Sequence, residues 1–198
     1  MAITIEYKNE FGNEVTLQQL PLLNDYIRIE KINGIVKCEE LYSDGSIIRV
    51  DYQKSNEENI PDILLKYSSD TVIHITTHFE NFGLYQMGYT ESYLHSSLLS
   101  KGRFLKNEES NIVLSQDINI VTNVPMLNTI KKYFNFSEDE YYVFEYKEDG
   151  TLRGMNSTRE MNLGIWKPLD LNDLNGFNWS EVGNYYLNAY PIIPGTPV

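Results

Sequence analysis

The chain has 198 residues, of which 41% are hydrophobic and 22% charged, and its formal net charge is −12 at pH 7. This apolar content excludes a disordered chain, and the length fits a single globular domain, residues 1–198, with a sizeable core. A surface this acidic repels phosphate groups, so neither nucleic acids nor anionic membranes are expected partners.

The N-terminus and the cysteine count indicate the compartment. Residues 1–10 have no basic stretch followed by an apolar one, so no signal peptide is predicted. No run approaches the roughly 20 apolar residues of a transmembrane helix. Cys38 is the only cysteine, which excludes an intrachain disulfide and a thiolate metal cluster. The sequence therefore predicts a cytoplasmic protein.

Alternating apolar and polar residues predict that the chain begins with antiparallel strands. The predicted strands are residues 2–7, 26–31, 35–42 and 47–52. Asn33-Gly34 and Asp44-Gly45 are two-residue turn signals, because these residue types tolerate a positive φ. Across the second turn, Glu40 is expected to face Arg49. Together these segments predict a three-stranded meander preceded by one further strand.

Residues 70–80 are rich in β-branched side chains and predict a strand inside the sheet. A short helix from Pro61 to Lys66 is expected to lead into it, since proline suits the first turn of a helix. Alternation assigns one face of the strand to the core and leaves a mixed face with His74 and His78.

Two longer helices are predicted in the middle of the chain. Residues 81–89 contain two glycines and predict a loop. Thr90 as an N-cap and Gly102 beyond the end then bracket a helix over 91–101. A second helix is predicted at 125–134, where proline stands first and apolar residues recur at helical spacing. Short strands are predicted between the two helices, at 111–115 and 118–121.

A further hairpin is predicted near the C-terminal end, with strands at 141–146 and 151–155 around Asp149-Gly150. Residues 190–198 contain three prolines and predict an extended tail. The whole pattern predicts an α+β fold, a mainly antiparallel β-sheet with two or three helices packed on it. The expected core comprises Ile27, Ile29, Ile73, Ile75, Phe79, Leu94, Leu98, Leu127, Ile130, Phe134, Val143 and Tyr146.

No residue pattern nominates a catalytic centre. His74 and His78 are four residues apart on a predicted strand, which separates them by about 13 Å and disfavours a shared zinc ion. Cys38 lies in the middle of a strand, where a small buried residue is the ordinary role. A nucleophile elbow and a phosphate-binding glycine loop are both absent. We therefore expect no catalytic residue and no cofactor, and an enzyme is the less favoured class.

The favoured function is a non-catalytic protein-binding module, of the kind that inhibits a bacterial toxin as an immunity protein. Its expected partner is a protein, and a basic one by charge complementarity. The expected partner-binding residues are acidic turn residues with two tryptophans as anchors, namely Glu138, Asp139, Glu140, Glu148, Asp149, Trp166 and Trp179. One alternative is a structural subunit of a phage particle or contractile injection assembly. A second is a hydrolase or metalloenzyme that uses His74 or His78.

Overall fold

The computed structural model describes residues 2–135, 141–157, 167–169 and 184–195. Within these ranges, twelve strands form a mixed sheet in which neighbours follow the chain order. The strands are β1 (Ile3–Asn9), β2 (Asp25–Ile32), β3 (Ile35–Ser43), β4 (Ser46–Gln53), β5 (Val72–Phe82), β6 (Tyr85–Leu94), β7 (Ser97–Lys106), β8 (Ile112–Ile118), β9 (Lys131–Asn135), β10 (Tyr141–Tyr146), β11 (Leu152–Ser157) and β12 (Lys167–Leu169). Strands β4 and β5 are parallel, whereas β1–β4 and β8–β12 pair antiparallel.

The α+β class with two or three packed helices is wrong. The described helical segments are the five-residue helix α1 (Ile60–Leu64) and three-residue 3₁₀ turns at Leu20–Leu22, Leu127–Thr129 and Asn184–Tyr186. The protein is β-rich, as its many β-branched and aromatic residues favour. Among the described residues, none of the helices has the length and apolarity to span a bilayer.

Contacts between residues divide the chain into two compact units. Unit 1 comprises Met1–Phe79 and Tyr89–Lys101, and unit 2 comprises Glu80–Gly88 and Gly102–Val198.

Strands β1 to β4 of unit 1 form an antiparallel meander with the predicted turns. Asn33-Gly34 and Asp44-Gly45 both have positive φ angles, as their composition predicts. The predicted pairing of Glu40 with Arg49 is wrong, because Glu40 faces Val50 and Leu41 faces Arg49. A register shift between Leu41 and Tyr42 displaces the pairing by one residue.

Helix α1 covers the middle of the unit 1 sheet. The Asn59 side chain accepts a hydrogen bond from the Asp62 amide, and Pro61 occupies the first turn, so the predicted short helix is confirmed. Ile63 on α1 is fully buried against β3, β4 and β5. The core of this cluster consists of Cys38, Val50, Tyr52, Ile63, Ile73 and Ile75.

The strand predicted at 70–80 is confirmed as β5, with Ile73 and Ile75 in the core. Ile29 is also buried, as predicted, and Ile27 is half-buried. Phe79 was expected in the core and is 36% exposed, so that prediction is wrong. The cluster beneath α1 includes only the first part of β5, which leaves Phe79 beyond it.

Both predictions for residues 81–101 are wrong. The expected loop at 81–89 and helix at 91–101 are replaced by β6, a two-residue turn and β7. His95 lies in that turn with a φ of 54°, a left-handed conformation that interrupts a helix. Leu94, expected in the core, is 39% exposed, and Leu98 is half-buried. The capping pattern was misleading, because Thr90 lies inside β6 and Gly102 lies inside β7.

In unit 2 the helix predicted at 125–134 is also wrong. Residues 127–129 form a 3₁₀ turn, and residues 131–135 form β9, which pairs with β8 and β10. Burial alternates along this segment, with Ile130 and Lys132 buried and Lys131 exposed. Leu127 and Phe134 are only half-buried. The strand predicted at 111–115 is confirmed within β8. The strand predicted at 118–121 is wrong, because β8 ends at Ile118 and residues 120–122 form a turn.

The hairpin around Asp149-Gly150 is confirmed, with β10 and β11 as its strands. Gly150 has a φ of 82°, which suits glycine. The predicted core residues Ile130, Val143 and Tyr146 are buried. They belong to a unit 2 core that also includes Leu105, Leu114, Phe144, Leu152, Met155 and Ala189.

A candidate binding face on the first three strands

Most of the acidic-aromatic site predicted from the sequence lies outside the described residues, namely Glu138, Asp139, Glu140, Trp166 and Trp179. Glu148 and Asp149 are described and exposed in the turn between β10 and β11. The Asp149 carboxylate accepts hydrogen bonds from the Thr151 amide and hydroxyl, at 2.9 and 2.6 Å. These bonds lower the pKa of Asp149 and tie its side chain to its own turn.

A row of tyrosines crosses β1, β2 and β3 on one side of the sheet. Tyr26 pairs directly with Tyr42, and their rings stack with centroids 4.5 Å apart and an interplanar angle of 9°. Tyr7 meets Tyr26 edge to face at 6.3 Å. All three rings are half-buried, so part of each remains available to a partner. We call Tyr7, Tyr26, Tyr42, Arg28, Glu30 and Glu40 the tyrosine face.

The tyrosine face contains one buried carboxylate, Glu40, which binds two neighbouring side chains of the face. Glu40 is 8% exposed and accepts hydrogen bonds from Arg28 at 3.0 Å, from the Tyr42 hydroxyl at 3.2 Å and from the Tyr67 hydroxyl at 3.3 Å. A carboxylate offers about four acceptor sites, and these donors occupy three of them. Most of the hydrogen-bonding capacity of the buried charge is therefore satisfied. Glu40 therefore holds the Arg28 guanidinium and the Tyr42 ring in fixed positions relative to each other.

The tyrosine face has a net negative charge. Arg28 is shared between Glu30, at 2.9 Å, and Glu40, so one guanidinium balances two carboxylates. Burial opposes the charge on Arg28, but hydrogen bonds to Glu30 and Glu40 raise its pKa above the ordinary value. Burial and the charge of Glu40 raise the pKa of Tyr42 to about 12, so its hydroxyl stays protonated. The electrostatics of this face favour a cationic partner.

Cys38 lies on β3, where it pairs with Glu30 of the tyrosine face. It is buried, as predicted, with its sulfur 3.3 Å from the Tyr67 hydroxyl. Burial raises the pKa of the Cys38 thiol to about 11. A protonated and buried thiol is a poor nucleophile.

The two histidines on β5 have separate partners. His74 Nδ1 is 2.7 Å from the Ser92 hydroxyl, and the His78 ring stacks on Tyr89 with centroids 4.2 Å apart. Asp51 pairs with His74 in the strand register, but its carboxylate accepts hydrogen bonds from Arg49. His95, the third histidine, is exposed in its turn.

Among the described residues, no group of three His, Cys, Asp or Glu side chains could hold a metal ion. That His74 and His78 share no metal remains a prediction.

The sequence places Tyr26, Arg28 and Glu30 on one side of β2, because they alternate with apolar residues, but it does not mark that side as a binding face. It does not identify their neighbours on β1 and β3. A two-residue turn at Asn33-Gly34 with regular pairing would place Leu41, not Tyr42, opposite Tyr26. The register shift between Glu30 and Lys31 brings the two tyrosines together.

Comparison of the chain with protein-family models, with curated proteins and with solved structures found no match. Interpretation of the tyrosine face therefore depends on its own geometry and charge.

Proposed function

We propose that this protein is a non-catalytic binding module that recognises a basic protein through the tyrosine face, in the manner of an immunity-type inhibitor that neutralises a toxin. The observation that supports this proposal most directly is the tyrosine row itself. Tyr7, Tyr26 and Tyr42 form a continuous aromatic surface on three adjacent strands. Half-buried tyrosines provide large contact area with little side-chain entropy to lose, which is why they are enriched at interfaces.

The charges around the row support a basic partner in particular. Glu30 remains partly exposed beside Arg28, with 29% of its side chain accessible. A lysine or arginine of the partner can pair with Glu30 and lie over a tyrosine ring, which adds a cation–π interaction. The net charge of −12 also accelerates encounter with a basic protein, because long-range attraction steers the approach.

The first experiment is capture of partners from a native lysate on the immobilised protein, with identification by mass spectrometry. The identified partner is then purified and its binding kinetics are measured at several salt concentrations. We expect Tyr26→Ala to increase the dissociation rate, at a cost of about 2 kcal/mol or more, because the variant removes the central ring of the row. Glu30→Lys should instead slow association and flatten its salt dependence.

Val121→Ala is the matched control, since Val121 is an apolar residue of unit 2 that is 88% exposed. This variant should bind as the original protein does. Equal binding by all variants, or capture of no stoichiometric partner, would contradict the proposal.

A further inference from the structure

Strand β1 lies at the end of the strand order and pairs with β2 along one side only. Along its other side, the segment after β1 covers the C-terminal half. Val15 donates its amide hydrogen to the Tyr7 carbonyl at 2.9 Å, and the Asn9 amide donates to the Asn13 carbonyl at 2.9 Å. Tyr7 and Asn9 therefore direct their backbone groups away from β2.

Alternation along the strand then fixes the direction of the remaining backbone groups. Ile3 and Ile5 have the same parity as Tyr7 and Asn9, so their amide and carbonyl groups also point away from β2. Ala2, of the other parity, exchanges hydrogen bonds with Asn33 at the far end of the β1–β2 pair. Among the described residues, nothing pairs with the outer backbone of Ile3 and Ile5. We call this stretch, Ile3–Ile5, the free edge.

The free edge lacks the usual protection of an edge strand. Such strands are normally blunted by charged side chains, proline or a bulge, whereas Ile3, Thr4 and Ile5 include none of these. The Ile3 and Ile5 side chains are 58% and 47% exposed. An open groove lies next to the free edge. It is lined by Ile5 and Tyr7 of β1 and by Glu14, Val15 and Leu17 of the segment after β1.

We propose that the free edge binds an extended segment of a basic protein as an added β-strand. Backbone hydrogen bonds to Ile3 and Ile5 supply affinity, and alternating side chains supply specificity. Apolar residues of the segment contact Ile5 and Leu17, while its lysines or arginines reach Glu14 and Glu30. Glu30 is within reach because it faces Ile5 in the β1–β2 register.

Charge decides between this occupant and a second copy of the chain. Two copies with a net charge of −12 each repel one another, whereas a basic segment is attracted. The inference rests on the proposed function, because Tyr7 belongs to both β1 and the tyrosine face. It adds a binding mode that the tyrosine face alone does not require.

The test uses the full chain with an alternating Lys-Val peptide as the probe. Amide hydrogen exchange of Ile3 and Ile5 is measured with this peptide, with a backbone N-methylated copy of it and with an alternating Glu-Val peptide. We expect the Lys-Val peptide alone to slow exchange at both amides, and added salt to weaken the effect. Protection by all three peptides, or by none, would overturn the inference.

Variants at Ile5 separate backbone pairing from side-chain contact. Ile5→Pro removes an outward amide that the β1–β2 pair does not use, so binding should become about tenfold weaker while the fold persists. Ile5→Lys and Ile5→Glu keep the amide and remove the same apolar contact. The lysine variant should bind the Lys-Val peptide more weakly than the glutamate variant, and equal affinities would contradict a basic occupant. All of these measurements are made at pH 7, where the net charge opposes self-association. Protection that rises with protein concentration at this pH in the absence of peptide would identify a second copy as the occupant and overturn the proposal.

Failure of this inference is distinguishable from failure of the proposed function. If a captured partner binds Ile5→Pro as well as the original protein but loses affinity for Tyr26→Ala, the tyrosine face is the site and the free edge is not. If no partner is captured, the peptide experiment still tests the free edge directly.

Discussion

Lys132 is the most unusual single residue in the described part of unit 2. It is fully buried, and its Nζ donates hydrogen bonds to the carbonyls of Tyr185, Asn188 and Pro191 at 2.7, 2.8 and 2.9 Å. The Tyr185 ring lies 3.6 Å from the same nitrogen. An ammonium group has three N–H donors, so three carbonyls satisfy it completely. Lys132 thereby attaches the segment that contains Tyr185 and Pro191 to β9.

Lys132 should make stability depend on pH in a recognisable direction. Burial lowers the pKa of Lys132 to about 7, whereas an unfolded lysine titrates near 10.4. Between these values the unfolded chain binds one more proton, so the free energy of unfolding rises with pH by at most about 1.4 kcal/mol per pH unit. We expect Lys132→Met to remove this rise, and to leave three buried carbonyls without a donor. Denaturant unfolding from about pH 7 to pH 10 measures both effects.

Lys131→Met is the control, because Lys131 is the adjacent lysine and is exposed beside Glu145. Tyr146 and Tyr185, which face Lys132, have pKa values raised by burial. Their contribution to stability falls as pH rises above about 10, the opposite sign, and is retained in both variants. A pH slope shared by the original protein and Lys132→Met would show that Lys132 is not its source.

The turns of this fold could be predicted from the sequence, and the registers could not. Three hairpin turns consist of residues that tolerate a positive φ, namely Asn33-Gly34, Asp44-Gly45 and Asp149-Gly150. A bulge then shifts pairing by one residue in both β2–β3 and β3–β4. Bulges have no reliable sequence signal, so the sequence placed Arg49 opposite Glu40 and could not bring Tyr26 to Tyr42.

The two helix predictions failed for a different physical reason. Short apolar stretches match helical and strand periodicity about equally well, and flanking residues then decide the interpretation. Thr90 and Gly102 resembled helix caps, and Pro125 resembled a helix start, but each lies in or beside a strand or turn. Pairing with neighbouring strands outweighs such weak local preferences. The strand predicted at 70–80 was correct because β-branched residues are concentrated at 71–77, where they disfavour a helix and favour a strand.

Strands β6 and β7 provide a test of close packing between elements. The Phe104 ring on β7 lies directly over buried Gly88 on β6, so closely that an added Cβ would overlap the ring. We expect Gly88→Ala to lower the free energy of unfolding by about 1–3 kcal/mol, because the ring must move. Urea unfolding of the variant measures this cost.

A double-mutant cycle with Phe104→Leu identifies the cause. The smaller side chain should relieve the overlap, so the alanine at position 88 should cost less in the Phe104→Leu background than in the original one. An unchanged cost would mean that the loss arises from the β6 backbone rather than from contact with the ring.

The net charge of the chain and the exposed free edge of β1 have opposite effects on self-association. A net charge of −12 opposes association between copies of the protein at neutral pH, whereas the unprotected edge Ile3–Ile5 favours it. The sequence pI is about 4.6, and near that pH the repulsion disappears. We therefore expect reversible self-association near pH 4.6 that is absent at pH 7, measured by sedimentation velocity. Added salt at pH 7 should promote it only partly, since screening reduces repulsion without removing it.

Location on the free edge, rather than charge alone, should control this association. Ile5→Lys and Val121→Lys change the net charge by the same amount, and both replace an exposed apolar residue. Ile5→Lys should suppress association at its own isoelectric pH, because a lysine on an edge strand opposes pairing with another strand. Val121→Lys should only shift the pH at which association occurs. Equal behaviour of the two variants would mean that loss of net charge, and not pairing at Ile3–Ile5, drives the copies together.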